Sequence, residues 1–288
     1  MHSGEQTGSV LLLGAFVQIL SFDTASDFID EHVVTNVAGV FLPERPFVYF
    51  AQDLMALISP GLYYNSTTTS FDAVSLILGF DISDDQTPAP RPFCFGQIPG
   101  GATFSKHFSS DFPGSENYIQ YSADLYEGRL RVLTANNYVP WDDFSSESST
   151  TTATISVLEV PSVTSDAGTE MLLIGEISLQ LTSPDHAEFA SFMENWGFVE
   201  TNAGLSHVYD LSDPSAPKDV GGLETSSCSS SLIPIKIDGV LHLLGIGNVI
   251  CGTHISLGLT IAVFDTSDPT NLQENSTCVE KGAWSESG

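Results

Sequence analysis

Carboxylates are the most numerous ionisable side chains in this sequence, and they could perform acid–base chemistry. The chain has 36 Asp and Glu against 8 Lys and Arg, which gives a formal net charge of −28 over 288 residues. Two suitably spaced carboxylates can cleave a glycosidic bond, one as acid and the other as base or nucleophile. Five acids, however, recur at the same place in a repeated pattern, where a catalytic residue would be needed only once. Repetition therefore favours a role in turn structure for Asp23, Asp81, Glu159, Asp210 and Asp265.

The other reactive residue types lack the spacing of a known catalytic or metal site. The seven histidines include no H-E-x-x-H or other close pair, and no G-x-S-x-G nucleophile motif occurs. His207 and His242 lie on predicted strands, where we expect satisfied structural roles. No catalytic residue is assigned. The cysteines have no C-x-x-C spacing and could form disulfides or remain buried thiols; they are Cys94, Cys228, Cys251 and Cys278.

Calcium is the one ion that the acidic turns could hold. The turns Asp210 to Asp213 and Asp265 to Asp268 supply oxygen ligands, which calcium prefers. Each turn offers few side-chain ligands and is shorter than a dedicated calcium loop. Calcium binding through these few ligands is the alternative to a purely structural turn. No other cofactor is predicted.

The element that positions the acids is clearest from Leu257 to Thr270. An apolar, β-prone run ends at Phe264, Asp265 begins a turn, and Pro269 stops the strand ladder. Weaker copies end at the other four acids, and the spacings between successive acids are 58, 78, 51 and 55 residues. A period of about 50 to 55 residues with one long insertion is typical of a propeller or another repeat array.

Each repeat predicts four antiparallel strands, which make one propeller blade. A hairpin precedes the acid-ended strand, and a further β-like segment follows it. The hairpins turn at Gln52-Asp53, Glu127-Gly128, near Asn195, and at Asp238-Gly239. We therefore predict an all-β fold: a β-propeller of four to five four-stranded antiparallel blades in an incomplete ring. Residues 1–288 form one domain, and residues 282–288 resemble the start of a truncated further unit.

The loops between the second and third strands of each unit form the candidate binding face. They are predicted at about residues 60–70, 136–152, 201–204 and 245–256, and in a propeller they emerge on the same side. A flexible, solvated loop is the alternative for the longest of them. The candidate binding residues in these loops are Tyr64, Trp141, Asp142, Asp143, Phe144, Asn248 and His254.

The acidic composition and the lack of a long apolar stretch exclude some classes of partner. A chain this acidic lacks the basic footprint that nucleic acids require. No stretch approaches ~20 apolar residues, so no transmembrane helix is predicted. Sequons at Asn65 and Asn275 are candidate glycosylation sites and favour secretion. Val10 to Phe22 is interpreted as a strand pair ending at Asp23, with a signal segment as the alternative.

Several segments resemble the secreted β-propeller domain family of bacteria and archaea. The likeness rests on the core of the segment Asn117 to Asn136, Tyr126-Glu-Gly-Arg-Leu-Arg-Val-Leu-Thr134, and on Val208-Tyr-Asp-Leu-Ser-Asp-Pro214, Leu241-His-Leu-Leu-Gly245 and Gly258-Leu-Thr-Ile-Ala-Val-Phe-Asp265. The Asp-x-Ser-Asp-Pro element is similar to LVIVD-type repeats. The resemblance implies an extracellular or surface-attached propeller without an established catalytic constellation. The third unit departs from it, with Leu158-Glu-Val-Pro161 in place of the acidic turn, and the fourth has the short loop Asn202-Ala-Gly204.

These observations predict a secreted or surface-displayed module that binds or adheres to an extracellular protein or glycan. The alternatives are an extracellular hydrolase or lyase that uses carboxylates in the central channel, and a fragment without independent function. An open ring would also expose strand edges, which favours edge-to-edge self-association.

Overall fold

The computed structural model confirms the all-β fold class. Its described residues form strands and turns, and no helix occurs among them. Accordingly, no described segment provides a helix of the length and apolarity that a membrane crossing needs. The structure describes residues 9–13, 16–23, 28–34, 40–41, 47–51, 53–65, 70–82, 91–99, 118–137, 150–162, 169–182, 187–201, 205–224, 228–238, 240–248, 259–268 and 273–280.

The chain divides into two compact units. The first comprises Met1–Phe108, Glu127–Arg129 and Leu158–Leu173, and the second comprises Ser109–Tyr126, Leu130–Val157 and Ile174–Gly288. The strands that begin the first unit are β1 (Ser9–Leu13), β2 (Phe16–Asp23), β3 (Phe28–Val34), β4 (Val40–Phe41), β5 (Phe47–Ala51), β6 (Leu54–Asn65), β7 (Ser70–Asp81) and β8 (Arg91–Pro99).

Two antiparallel arrays are built from these eight strands. The β1-β2-β3 sheet contains the strand pair that was predicted to end at Asp23. In the other sheet, β6 pairs with β5 and β4 on one side and with β7 on the other, and β8 follows β7. The core of this sheet consists of Met55, Leu57, Leu76, Leu78 and Phe80.

Three more sheets confirm the predicted four-stranded antiparallel blades. They have the orders β13-β11-β10-β9, β14-β15-β16-β17 and β18-β19-β20-β21, and the short β12 instead adds to β8 in parallel. The remaining strands, β12 included, are β9 (Tyr118–Tyr126), β10 (Arg129–Asn137), β11 (Thr150–Glu159), β12 (Thr169–Glu170), β13 (Leu172–Thr182), β14 (Ala187–Met193), β15 (Trp196–Thr201), β16 (Leu205–Asp210), β17 (Lys218–Glu224), β18 (Cys228–Ile237), β19 (Val240–Asn248), β20 (Leu259–Asp265) and β21 (Gln273–Glu280).

The middle strands of the β14–β17 sheet, β15 and β16, are packed on both faces in the second unit. One face packs on the β9–β13 sheet through a cluster that includes Ile155, Val199 and Tyr209. The other face packs on the β18–β21 sheet through Phe198 and Phe264. Burial on two faces explains why the repeated third strands are apolar runs and do not alternate.

The predicted loop boundaries are partly wrong. Strand β6 runs through residues 60–65, and β19 continues to Asn248, so these residues belong to paired strands and not to loops. Tyr64 pairs with Phe71, and Asn248 pairs with both Cys228 and Leu259. Pro60 and Gly61 in β6, and Gly245 and Gly247 in β19, indicated loops in the sequence, but backbone pairing continues through all four residues.

Candidate functional site

Each of the five repeated acids ends a strand in a different sheet. Asp23, Asp81, Glu159, Asp210 and Asp265 are the last residues of β2, β7, β11, β16 and β20. In three sheets, the residue after the acid donates its backbone N–H to a carbonyl of the hairpin turn in the same sheet. The pairs are Ile82 to Asp53 at 2.9 Å, Val160 to Gly128 at 3.0 Å and Leu211 to Asn195 at 2.7 Å.

The carboxylates of these turns accept backbone hydrogen bonds two residues on. Asp210 Oδ1 accepts from Ser212 N at 2.9 Å, and Asp265 Oδ1 accepts from Ser267 N at 2.9 Å. Asp213 Oδ1 accepts from both the backbone and the hydroxyl of Ser215. These contacts support the interpretation of the repeated acids as turn residues. Among the described residues, no group of three or more His, Cys, Asp or Glu is placed to hold a metal ion.

The same contacts stabilise the ionised carboxylates. Hydrogen bonds from the Ser212 hydroxyl and backbone hold the pKa of Asp210 below its ordinary value of 3.8. The hydroxyl and backbone of Ser215 likewise lower the pKa of Asp213. Because the folded pKa is depressed, this stabilisation is present above pH 3.8 and is lost as the pH falls through the folded pKa.

We expect Asp210→Asn to weaken the dependence of stability on acid. The wild-type protein should lose a few tenths of a kcal/mol, at most about 0.5 kcal/mol, through Asp210 on acidification, because the group is largely exposed. Urea unfolding at neutral pH and at several pH values below 4 measures this dependence. Parallel curves for the two proteins would contradict the assigned role of Asp210.

Arg131 is a buried charged residue with four partners. Its guanidinium forms an ion pair with Asp124, including Nε to Oδ2 at 3.1 Å, and donates Nη1 to the carbonyl of Glu194. Its Cζ also lies 5.0 Å from the ring centroids of both Tyr126 and Phe192. The side chain thereby joins the β9–β10 hairpin to the turn that follows β14.

Edge strands of the second unit are also satisfied by side chains of a neighbouring sheet. The buried Glu200 carboxylate accepts the N–H of Leu232 at 2.6 Å, and Ser191 Oγ donates to the carbonyl of the same residue. Ser122 Oγ accepts the N–H of Ala190 at 3.1 Å. Because β14 and β18 are terminal strands of their sheets, these contacts occupy backbone groups that could otherwise recruit another strand.

His207 lies beside Asp219 and Tyr209, a grouping that sequence reasoning missed. His207 Nδ1 is 3.9 Å from Asp219 Oδ2, and burial lowers the pKa of His207 while Asp219 opposes that shift. Burial, with the Asp219 charge second, raises the pKa of Tyr209. The Tyr209 hydroxyl and His242 Nδ1 are buried without a hydrogen-bond partner among the described residues. For that nitrogen of His242, the satisfied structural role stays a prediction.

Cys94 is a free, buried cysteine. Burial raises the pKa of its thiol to about 12, against a smaller lowering by a backbone hydrogen bond from Gly79. A thiol of this kind stays protonated and is a poor nucleophile at neutral pH. The cysteines were expected to form disulfides or to remain buried thiols, and Cys94 is a buried thiol. The side chains of Cys228, Cys251 and Cys278 lie outside the described part of the chain.

Strands β6 and β7 pair with each other over a longer stretch than either pairs with the described parts of its other neighbours. Pairing with β5 covers β6 from Leu54 to Ile58, and pairing with β4 reaches only Leu62. On the other side, pairing with β8 begins at Val74. The end of this hairpin, residues 63–65 and 70–72, is called the β6–β7 tip. Its three cross-strand pairs are Tyr63 with Asp72, Tyr64 with Phe71, and Asn65 with Ser70.

The structure places only some of the predicted binding and glycosylation residues. Tyr64 and Asn65 belong to the β6–β7 tip, Asn248 ends β19, and Asn275 lies within β21. The other candidates lie outside the described residues; they are Trp141, Asp142, Asp143, Phe144 and His254. Phe71, opposite Tyr64, was not predicted, although its aromatic type next to the sequon was visible in the sequence.

Comparison with known families identifies one match that covers almost the whole chain. The sequence model of a family described as beta propeller domain matches residues 12–288. Among curated proteins, no sequence matches this chain.

Three solved structures show weak likeness to the chain. They are a mutant of the Synechocystis apocarotenoid oxygenase (TM-score 0.48, 11% identity, 96% of this chain and 58% of that one), a Bombyx mori GH32 β-fructofuranosidase (0.35, 12%, 92% and 57%) and a Pseudomonas aeruginosa periplasmic gluconolactonase (0.33, 11%, 96% and 97%). The chain thus spans 58% of the length of the oxygenase. With TM-scores below 0.5, these likenesses carry no argument about activity.

Proposed function

Because the chain belongs to the beta propeller domain family, we propose that it is a secreted or surface-displayed binding module whose β6–β7 tip contacts an extracellular protein or glycan. One observation carries the proposal. The tip brings three aromatic residues, Tyr63, Tyr64 and Phe71, into two adjacent cross-strand backbone pairs at the end of a hairpin.

An aromatic pair near the end of a hairpin suits a binding role. Tyr and Phe bury a large apolar area, and Tyr also offers a hydroxyl for hydrogen bonds, so such residues dominate many interfaces. Tyr64 and Phe71 are directly opposed, so they share a face of the hairpin. Backbone pairing fixes their positions before a partner arrives, which lowers the entropic cost of binding.

The charged groups whose contacts are described support binding over catalysis. Asp210 and Asp213 hold turns, Arg131 is ion-paired between two rings, and Glu200 accepts a backbone N–H. These groups are engaged in maintaining the fold. A carboxylate pair for hydrolysis would instead need one acid with a raised pKa beside an ionised partner.

Secretion and surface display are part of the same proposal. The sequon at Asn65 lies at the β6–β7 tip, where a glycan would be attached next to Tyr64. Asparagine at an exposed turn is the usual acceptor for such modification in a secreted protein. Because Asn65 directly follows Tyr64 in β6, the two residues lie on opposite faces of the hairpin, so a glycan at Asn65 would leave the face of Tyr64 and Phe71 free.

We expect Tyr64→Ala and Phe71→Ala each to weaken partner binding by about 30-fold, the loss that follows from truncating a central aromatic contact. A glycan array and a panel of purified extracellular matrix proteins identify the partner, and calorimetry then measures Kd for each variant. Phe50→Ala is the matched control, because Phe50 is an exposed aromatic residue elsewhere in the same sheet.

Two outcomes would contradict the proposal. Unchanged affinity in both tip variants would remove the tip from the binding surface. Turnover of a matrix polysaccharide or peptide, at equal rates in wild type and tip variants, would support the alternative extracellular hydrolase or lyase.

A further inference from the structure

The chain between β11 and β13 leaves the β9–β13 sheet and adds a short strand to another sheet. This strand, β12, pairs in parallel with β8, and the two residue pairs are Thr169 with Cys94 and Glu170 with Phe95. The next residue is Met171, and we call residues 169–171 the strap. The strap, β7 and β8 all belong to the first compact unit.

The side chain and the backbone of Met171 anchor the strap. Met171 is only 2% exposed, whereas the residue that follows it, Leu172, is 56% exposed. The backbone N–H of Met171 donates to the carbonyl of Phe95 at 2.6 Å. The chain therefore turns this one side chain into the first unit and leaves its neighbour in solvent.

Two glycines provide the space that the Met171 side chain fills. A β-carbon on Gly79 would lie 2.9 Å from Met171 Cε, and one on Gly96 would lie 3.1 Å from Met171 Cβ. Register places Gly79 opposite Cys94, and Gly96 follows two residues further along β8, so all three residues lie on one face of the sheet. A larger residue at either glycine would collide with the docked methionine.

The thiol of Cys94 lies beneath the same side chain. Cys94 Sγ is even closer than Met171 Cε to the position that a β-carbon of Gly79 would take, so the thiol and the thioether are neighbours. Cys94 is 2% exposed, and burial raises the pKa of its thiol to about 12. Release of Met171 from Gly79 would therefore open a route from solvent to this thiol.

The strap covers only a small part of the β8 edge. β8 pairs with β7 from Arg91 to Pro99, but among the described residues it pairs with the strap only at Cys94 and Phe95. Parallel pairing is slightly less stable per residue than antiparallel pairing. Segments held by so short a ladder can open locally while the rest of a protein stays folded.

We propose that the strap is a detachable cover of the β8 edge, which docks through Met171 and releases while the β6, β7 and β8 strands stay paired. When the strap is docked, it pairs with β8 at Cys94 and Phe95. When it is released, the backbone of these two residues is exposed at the edge of the sheet. An uncovered edge of this kind can accept another strand, so the strap regulates whether edge-to-edge association is possible.

Labelling of the Cys94 thiol measures release of the strap. The wild-type protein is treated with N-ethylmaleimide at increasing urea concentrations, and mass spectrometry of the quenched, digested samples quantifies the Cys94 peptide apart from the peptides of the other cysteines. Release of the strap exposes little surface. We therefore expect a labelling rate that is constant at low urea and rises steeply only where global unfolding takes over.

Met171→Ala is expected to raise the labelling rate in the absence of urea by about 30-fold or more, because loss of a buried methionine favours the released strap. Leu172→Ala is the matched control, since it truncates the exposed neighbour, and its rate should stay within about two-fold of the wild type. Leu57→Ala is a second control. Leu57 is buried on the opposite face of the same sheet, so this variant lowers global stability and should leave labelling without urea unchanged.

Three results would overturn the proposal. The first is a wild-type labelling rate that depends on urea as steeply as global unfolding does at every concentration. The second is an unchanged rate in Met171→Ala. The third is an acceleration in Leu172→Ala or Leu57→Ala that equals that of Met171→Ala. Circular dichroism reports whether each variant keeps its fold, and the urea series on the wild type decides the question without any variant.

Discussion

Arg131→Ala is expected to lower the free energy of unfolding by about 4 kcal/mol, which is the scale for breaking a buried ion pair. The substitution removes the partner of Asp124, the donor to the carbonyl of Glu194, and the cation between the rings of Tyr126 and Phe192. Each cation–π contact contributes roughly 0.5–2 kcal/mol. The loss is therefore spread over several contacts that no shorter side chain can replace.

Arg129→Ala supplies the control for this prediction. Arg129 lies two residues away on the same strand, but it is exposed and its nearest carboxylate oxygen, on Glu127, is 3.6 Å away. Surface pairs of this kind contribute about 0.5 kcal/mol or less. Urea unfolding of both variants at neutral pH compares the two sites.

Arg131→Lys separates charge from shape. Lysine keeps the positive charge but lacks the planar fork that reaches Asp124, the Glu194 carbonyl and two rings at once. We expect this variant to recover less than half of the stability that Arg131→Ala loses. Equal stability of Arg131→Lys and the wild type would show that charge alone matters at this site.

Local sequence signals predicted the hairpins, but they could not predict this contact. The turn at Glu127-Gly128 follows from residues that tolerate positive φ, and both have it, at 49° and 73°. The carbonyl that Arg131 reaches lies 63 residues further along the chain. A sequence pattern identifies a strand pair, whereas the neighbour that the pair meets depends on how successive sheets stack.

The loop predicted at about residues 60–70 began too early because Pro60 was interpreted as the end of a strand. Pro60 and Gly61 indicate a loop, yet β6 passes through both. Pro60 lies between the β6 residues that pair with β5 and those that pair with β4, where that side of the strand has no partner among the described residues. A missing N–H costs little at such a place. The turn role predicted for Asp210 and Asp265 is confirmed, because it is set by backbone groups only two residues away.

The turn that contains Pro214 lies close to Gly175 of β13, and we expect a substitution there to have the second-largest effect on stability. A β-carbon on Gly175 would lie 2.1 Å from the carbonyl oxygen of Pro214 and 3.1 Å from Cδ of Pro217. The turn cannot easily retreat, since the Asp213 side chain and carbonyl hold it through hydrogen bonds from Ser215 and Ala216. We expect Gly175→Ala to lower the free energy of unfolding by about 3 kcal/mol, the upper range for overpacking a rigid site.

Gly197→Ala is the control that isolates the cause of that loss. A β-carbon there would meet the side chains of Leu211, Ile155 and Phe192 at 3.3–3.5 Å, and side chains can move where a backbone carbonyl cannot. We expect this variant to lose about 1 kcal/mol or less. If urea unfolding gave equal losses at both glycines, the Pro214 carbonyl would not be the obstacle. A large loss confined to Gly175→Ala would instead show that the turn held by Asp213 is rigid against β13, so that this turn fixes where one sheet meets the next.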